Sequence, residues 1–259
     1  MFLKKIAKTK EKEITALRDQ ISAQDRERAK RLPPGLSLKE KLMAEETSII
    51  AEVKSASPSK GVISEKVDPV KVAQGYEQGG AAAVSVLTDV VYFHGSPDFL
   101  TQVKQNIGLP VLRKDFIVDE LQVFESKLLG ADIILLIAAL LDEKRLKKLT
   151  QTARQLGMEV LIEIHEKDEI PMALACDADV IGINNRNLHT FKTDLSHTET
   201  LRPLIPSDRP VIGESGVLSL EDARRIQKAG VQGLLVGEYL MRQEDPAQAV
   251  RDLREGLSR

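Results

Sequence analysis

Cysteine is almost missing from this chain of 259 residues: Cys176 is the only one. An intrachain disulfide framework and a cysteine-based zinc site are therefore excluded, which agrees with a reducing, cytoplasmic setting. The four histidines, His94, His165, His189 and His197, are scattered without metal-ligand spacing. They read as surface or loop residues, and no metal site is expected. Net charge is also nearly absent, −2 at pH 7, which removes the general reason to expect nucleic acid or a membrane surface as partner. Long apolar runs are missing too: the longest, Ile133 to Leu141, falls far short of the roughly 20 residues of a membrane span. The lysine-bearing start, Met1 to Lys12, lacks the unbroken apolar stretch and small-residue cleavage site of a secretory signal, and acidic residues interrupt it at once. A soluble protein is expected.

What is present is a regular alternation. From Ser48 onward, short apolar or β-branched runs appear at Ile49–Val53, Ala83–Leu87, Val111–Arg113, Ile133–Ile137, Glu159–Ile162, Val180–Ile183, Val211–Gly213 and Gly233–Val236. Amphipathic segments lie between them, such as Val70–Gln78, Glu120–Leu129, Glu143–Leu156 and Leu220–Ala229. Gly80, Gly130 and Gly230 each precede a strand, where a helix ends in a left-handed residue. Strands alternating with helices imply a parallel sheet. Eight such units predict an α/β fold, a closed (β/α)8 TIM barrel spanning residues 1–259 as one domain, with right-handed crossovers placing the helices outside. A doubly wound open sheet is the competitor, but no Gly-x-Gly-x-x-Gly follows the first strand. Residues 1–47 form an N-terminal helical extension. Within it, Phe2 to Arg31 reads as one helix rich in basic residues, either a solvated face or a lid adding positive potential over an anion. Pro33-Pro34-Gly35 ends it, and Ser37 with Glu40 forms a capping box for a short helix.

In such a barrel the reactive groups sit at the C-terminal ends of the strands. Those ends carry Glu52 and Lys54, Thr88 and Asp89, Arg113-Lys114-Asp115-Phe116, Glu163, Asn184-Asn185-Arg186, Gly213-Glu214-Ser215-Gly216, and Gly237-Glu238. Strand four is apolar to its end and contributes only wall. Gly213-Glu214-Ser215-Gly216 and Val236-Gly237-Glu238, after strands seven and eight, match the recurrent barrel phosphate site. The alternative is two ordinary turns. Glu238 would repel a phosphate with its side chain, so its backbone N–H is the expected contributor. A partly dry pocket would lower the pKa of Lys114 and fit it as a general acid; the alternative is a structural ion pair with Asp115 or a glutamate. Burial would raise Glu163 into a general base, unless it only neutralises Lys114. Asn184 and Arg186 share a face suited to a carboxylate. Ser215 is not in a nucleophile-elbow pattern and has no histidine placed to activate it.

The motifs go further. Ile-Ala-Glu-Val-Lys-x-x-Ser-Pro-Ser-Lys-Gly at Ile50–Gly61, Leu87-Thr-Asp with Phe93-x-Gly-Ser, Leu112-Arg-Lys-Asp-Phe-Ile-Val-Asp, Leu161-Ile-Glu-Ile-His, Ile181-Gly-Ile-Asn-Asn-Arg-Asn-Leu, Gly213-Glu-Ser-Gly and Leu235-Val-Gly-Glu-x-Leu-Met together resemble the indole-3-glycerol-phosphate synthase family of tryptophan biosynthesis. The likeness runs from about Leu36 to the C-terminus, and the helical extension is similar as well. It implies a cytoplasmic carboxy-lyase without cofactor, acting on a phosphosugar–anthranilate, 1-(2-carboxyphenylamino)-1-deoxyribulose 5-phosphate. Because the chain stops after the eighth unit, no fused phosphoribosylanthranilate isomerase is expected; a monomer is expected, with a dimer as the alternative. By the same likeness Lys114 is the acid of ring closure and Glu163 the acid/base of dehydration. Glu52 and Asn184 orient and stabilise the intermediate, and Lys54 holds substrate anions. Ser57, Ser215, Gly216, Gly237 and Glu238 form the phosphate end beside Leu235. Arg186 lies near the anthranilate carboxylate, Phe93 and Phe116 pack on the aromatic ring, and Glu214 holds a lysine in place. Within enzymes, an isomerase or another phosphosugar barrel is the competing reading. Outside them, the competitor is a non-catalytic phosphate-ligand binder.

Overall fold

Eight short parallel strands close on themselves in the computed structural model, which describes residues 2–44, 47–54, 56–57, 61–62, 68–188 and 190–258. They are β1 (Ser48–Val53), β2 (Ala83–Leu87), β3 (Val111–Lys114), β4 (Ile133–Ile137), β5 (Glu159–Ile164), β6 (Val180–Asn184), β7 (Val211–Glu214) and β8 (Gly233–Val236). Each pairs with its sequence neighbour, and β8 pairs with β1, Leu235 opposite Ile50, to complete the ring. Closure rules out the open doubly wound sheet. Inside, Ile50, Ala83, Leu112, Ile133, Leu161 and Ile212 form a dry floor. A second apolar layer lies between the ring and its helices.

Four strands run further at their C-terminal ends than the apolar pattern predicts, taking in Lys114, Glu163, Asn184 and Glu214. An apolar pattern stops at the first charge. The ladder does not, because these inward groups satisfy one another and the backbone pairing continues beneath them. The helices between strands start where Asp68, Asp119, Asp142 and Ser219 accept from the first-turn amides. Gly80, Gly130 and Gly230 adopt the expected positive φ.

The extension departs from the single helix expected. It is split into α1 (Phe2–Gln20) and α2 (Ala23–Arg31). Ser22 accepts from the Asp25 amide while the Asp25 carboxylate accepts from the Ser22 amide. That reciprocal pair gives the backbone a new N-terminus in mid-segment. Ile14 and Leu17 of α1, with Ile21 just after it, pack with Leu121 on the barrel's flank. A third helix, α3 (Leu38–Ala44), closes the N-terminal end of the barrel with Leu38 and Leu42 fully buried. Ser37 caps it, accepting from Glu40 N at 3.0 Å. Glu159 also accepts from Leu38 N and Lys39 N, fastening α3 to β5. Gly233 makes room beneath, since a Cβ there would lie 2.7 Å from Leu42. No helix among the described residues is long and apolar enough to cross a membrane.

Candidate active site

A cavity of about 880 Å³ opens at the C-terminal ends of the strands. Glu52, Lys54, Phe93, Lys114, Phe116, Glu163, Asn184, Arg186, Ser215, Gly216, Leu235, Gly237 and Glu238 all line it, and Leu135 and Ile137 of β4 supply the apolar wall. Glu214 lies just beneath, 1% exposed. Ser57 sits on a short strand, Ala56–Ser57, paired with Gly61–Val62. Its side chain, like Ser55, Ser59 and Lys60, falls outside the described residues.

The floor is a charge cluster. Lys114 Nζ donates to Glu214 Oε2 at 2.5 Å and faces Glu163 Oε2 at 3.4 Å. Lys54 Nζ donates to Glu52 Oε1 at 3.0 Å. Two expectations change here. Burial alone would lower the Lys114 pKa, but the carboxylates of Glu214, Glu163 and Glu52 outweigh it and drive the pKa upward, so the ammonium is the resting form. Asp115 is not its partner; that carboxylate turns to Lys10 and Arg113. Nor is Glu163 the raised carboxyl. Burial pushes it up, but the Lys114 ammonium and hydrogen bonding from Asn184 bring it below the ordinary range. Glu214 is raised instead, to about 8, by burial and by the neighbouring Glu163 charge, against the pull of Lys114. Its Oε1 receives no hydrogen bond from any described residue. The Glu163–Glu214 pair thus keeps one proton near neutrality, on Glu214.

This has a consequence for stability. Glu214 holds its proton in the fold up to about pH 8, whereas an unfolded glutamate releases it near 4.3. Between those values the unfolded chain binds fewer protons, so stability falls as pH rises. Glu214→Gln is expected to flatten that fall, shrinking the drop in Tm between pH 5 and pH 9 relative to wild type. An equal drop in both proteins in thermal melts would contradict the proton assignment.

The family model of indole-3-glycerol phosphate synthase matches residues 3–253. The chain belongs to the indole-3-glycerol phosphate synthase family. It is 45% identical over 254 residues to the indole-3-glycerol phosphate synthase of Desulfotalea psychrophila, covering 97% of this chain and 98% of that one. The identity is 48% over 213 residues to that of Campylobacter jejuni subsp. doylei, covering 82% and 83%. Among solved structures, thiamine phosphate pyrophosphorylase from Pyrococcus furiosus superposes with a TM-score of 0.63 at 17% identity, covering 86% of this chain and 98% of that one. Orotidine 5'-phosphate decarboxylase from Pyrococcus horikoshii gives 0.63 at 12%, covering 82% and 99%. Those two share the fold.

In this indole-3-glycerol phosphate synthase family member the loop after β7 turns sharply. Ser215 has φ +63° and Gly216 φ +92°. A Cβ at Gly216 would come within 2.6 Å of Leu195 and 2.7 Å of Thr193, so both backbone and space require glycine there. Asn185 holds this turn, a role that its place in the Asn184-Asn185-Arg186 run did not reveal. Its side-chain amide donates to the carbonyls of Glu214 and Ser215, and its Oδ1 accepts from Thr198 N and Oγ1. Across from it, Gly237 caps the short helix Glu238–Met241 without a side chain. Glu238 pairs with Arg242 at 2.6 Å.

The opposite wall is aromatic. Phe93 and Tyr92 both pack on Phe116, at 6.0 and 6.3 Å between centroids, and the Lys54 ammonium lies 5.7 Å from the Phe93 centroid. Three further residues were missed. His165, expected at the surface, is buried with Nε2 3.4 Å from Glu163 Oε1. It follows Glu163 by two residues and so shares its face, a signal present in the strand alternation. Gly182, opposite Glu163 in the ladder, leaves room for Glu214. Lys10 of α1 reaches the rim and is buried there between two carboxylates. The lid reading therefore fails at Lys10, because its charge is neutralised before it can act on a ligand.

Proposed function

We propose the following division of labour in the family reaction, which converts 1-(2-carboxyphenylamino)-1-deoxyribulose 5-phosphate to indole-3-glycerol phosphate, carbon dioxide and water in tryptophan biosynthesis. The ring carbon bearing the carboxylate attacks the ketone carbon, and the ketone oxygen takes a proton from Lys114. An ammonium with a raised pKa is a weak acid, but the developing alkoxide is a stronger base than an amine, so the transfer runs downhill as the bond forms. Carbon dioxide leaves and its bonding pair restores aromaticity. The new hydroxyl departs as water with a proton from the Glu163–Glu214 pair, and the adjacent methylene gives up a proton to complete the indole. Two protons are delivered and one returns, so each turnover takes one proton from solvent.

Glu52 faces the positive charge that develops on nitrogen, Lys54 binds substrate anions, and Asn184 orients Glu163. Arg186 stands near the carboxylate that is lost. Ser215, Gly216, Gly237 and the Glu238 backbone receive the phosphate, with Ser57 from the first loop, and Phe93 and Phe116 take the anthranilate ring. The observation that carries this reading is Lys114 held between two buried carboxylates on the floor of the cavity. A phosphosugar isomerase has no use for that ammonium beside a second Lys–Glu pair. All groups come from one chain, which supports a monomer, and a cytoplasmic one fits the single cysteine.

Indole fluorescence appearing on addition of the carboxyphenylamino sugar phosphate is the expected result. Folded protein that binds this compound without turnover would instead favour the non-catalytic binder. Conversion of phosphoribosylanthranilate alone would favour the isomerase.

A further inference from the structure

Lys10 is a buried cation outside the reaction described above. Its Nζ lies 2.8 Å from Asp89 Oδ2, 2.7 Å from Asp115 Oδ1 and 2.8 Å from Glu13 Oε2, and the residue is 1% exposed. Burial disfavours the charge, but the two aspartates outweigh it and raise the pKa. The two aspartates differ. Asp115 is fully engaged, with Oδ1 also accepting from Phe116 N and Oδ2 from Thr88 and Arg113. Asp89 Oδ1 accepts from Tyr92 N. Its Oδ2 makes no directed hydrogen bond among the described residues, and the Lys10 ammonium neutralises it as a contact ion pair.

What these aspartates hold is the aromatic wall. Asp89 is the N-cap of the short helix Val90–Phe93, which carries Tyr92 and Phe93. Asp115 lies between Lys114 and Phe116 and fixes the Phe116 amide. One residue before Lys10, Thr9 Oγ1 meets Tyr92 Oη at 2.8 Å. Successive residues of α1 thus grip both segments whose rings meet over the cavity. Without Lys10, a buried carboxylate at Asp89 loses its counter-charge, and the cheapest relief is for the cap to swing toward water and take Phe93 with it.

We propose that Lys10 is a positioning residue for the reaction, acting through Asp89 and Asp115 to set the aromatic wall, so that α1 forms part of the subsite for the anthranilate ring and not of the phosphate end. This rests on the proposed function. The groups facing Lys10 are Glu13 from its own helix, Asp89 from the loop after β2, and Asp115 with Arg113 behind it from β3.

The test compares wild type, Lys10→Met, Lys10→Arg and Thr9→Val in steady-state turnover, with inorganic phosphate as a competitive probe of the phosphate end. Lys10→Met is expected to raise KM at least tenfold while kcat falls less than threefold and the phosphate Ki stays within twofold. Lys10→Arg is expected to restore most of the loss. Thr9→Val, which leaves the ion pairs intact, is expected to raise KM two- to threefold with an unchanged melting temperature, and it decides the matter if Lys10→Met does not fold. A folded Lys10→Met with wild-type KM would overturn the proposal, as would a parallel rise in the phosphate Ki, since either means a purely structural clamp. If wild type itself shows no turnover, the proposed function fails instead.

Discussion

Lys114→Ala is expected to lower kcat by roughly 10²- to 10⁴-fold, the usual contribution of a positioned acid, with a far smaller change in KM. The asymmetry is the point. A lysine that merely attracted an anionic substrate would lose KM with kcat intact, because ground state and transition state would suffer alike. Here the ammonium is tied to Glu214 at 2.5 Å and aimed upward from the floor, so its proton is needed only as the ketone oxygen gains charge. Lys114→Ala also leaves Glu163 and Glu214 facing each other without a cation. Loss of kcat should therefore be accompanied by a rise in the pKa of that pair, seen as an inflection of residual activity displaced upward in a pH–rate profile. A tenfold KM increase with unchanged kcat would contradict the assignment.

The second large effect is expected at a residue with no side chain, Gly182, which faces Glu163 in the ladder. A Cβ there would stand 2.0 Å from Glu214 Oε1 and 3.2 Å from Leu161 Cδ1. Glu214 has nowhere to retreat, being buried and held at its other oxygen by Lys114. Gly182→Ala must therefore shift the carboxylate and with it the lysine. A displacement of about 1 Å in a reacting group costs on the order of 10² in rate, and overpacking costs about 1–3 kcal/mol in stability. Kinetics and chemical denaturation of this variant measure the two together. Wild-type kcat would show that the Lys114–Glu214 contact can move without consequence.

The sequence made the barrel legible because the alternation of apolar strand and amphipathic helix repeats eight times, and each repeat supports the others. The pocket was legible for a related reason. Alternation along a strand states which side chains face inward, and a charge on an inward position at a strand's end has few alternatives. What could not be read was how those charges divide among partners. Glu163 and Glu214 both look like buried acids, and it takes the fold, in which Asn184 hydrogen-bonds Glu163 while Glu214 is buried beside the Glu163 charge, to decide which one keeps a proton. Lys10 was illegible for a different reason. Among ten basic residues in the first thirty-one, nothing local separates a lysine that meets water from one that reaches Asp89 and Asp115, about 80 and 105 positions away. His165 could have been found, because it continues the inward face of β5.

The plug at the barrel's lower end constrains the order of folding. Leu42 belongs to the first sixth of the chain to leave the ribosome, yet it packs against Gly233 near the start of the last strand. Glu159, which fastens the beginning of α3, is also synthesised more than a hundred residues later. Until the final unit emerges, the buried faces of Leu38 and Leu42 have no native partner, and the ring cannot close because β1 must pair with β8. Contacts of such long sequence separation form late. During synthesis α3 therefore keeps an exposed apolar face, open to chaperones and proteases, and it docks as the last-made strand arrives.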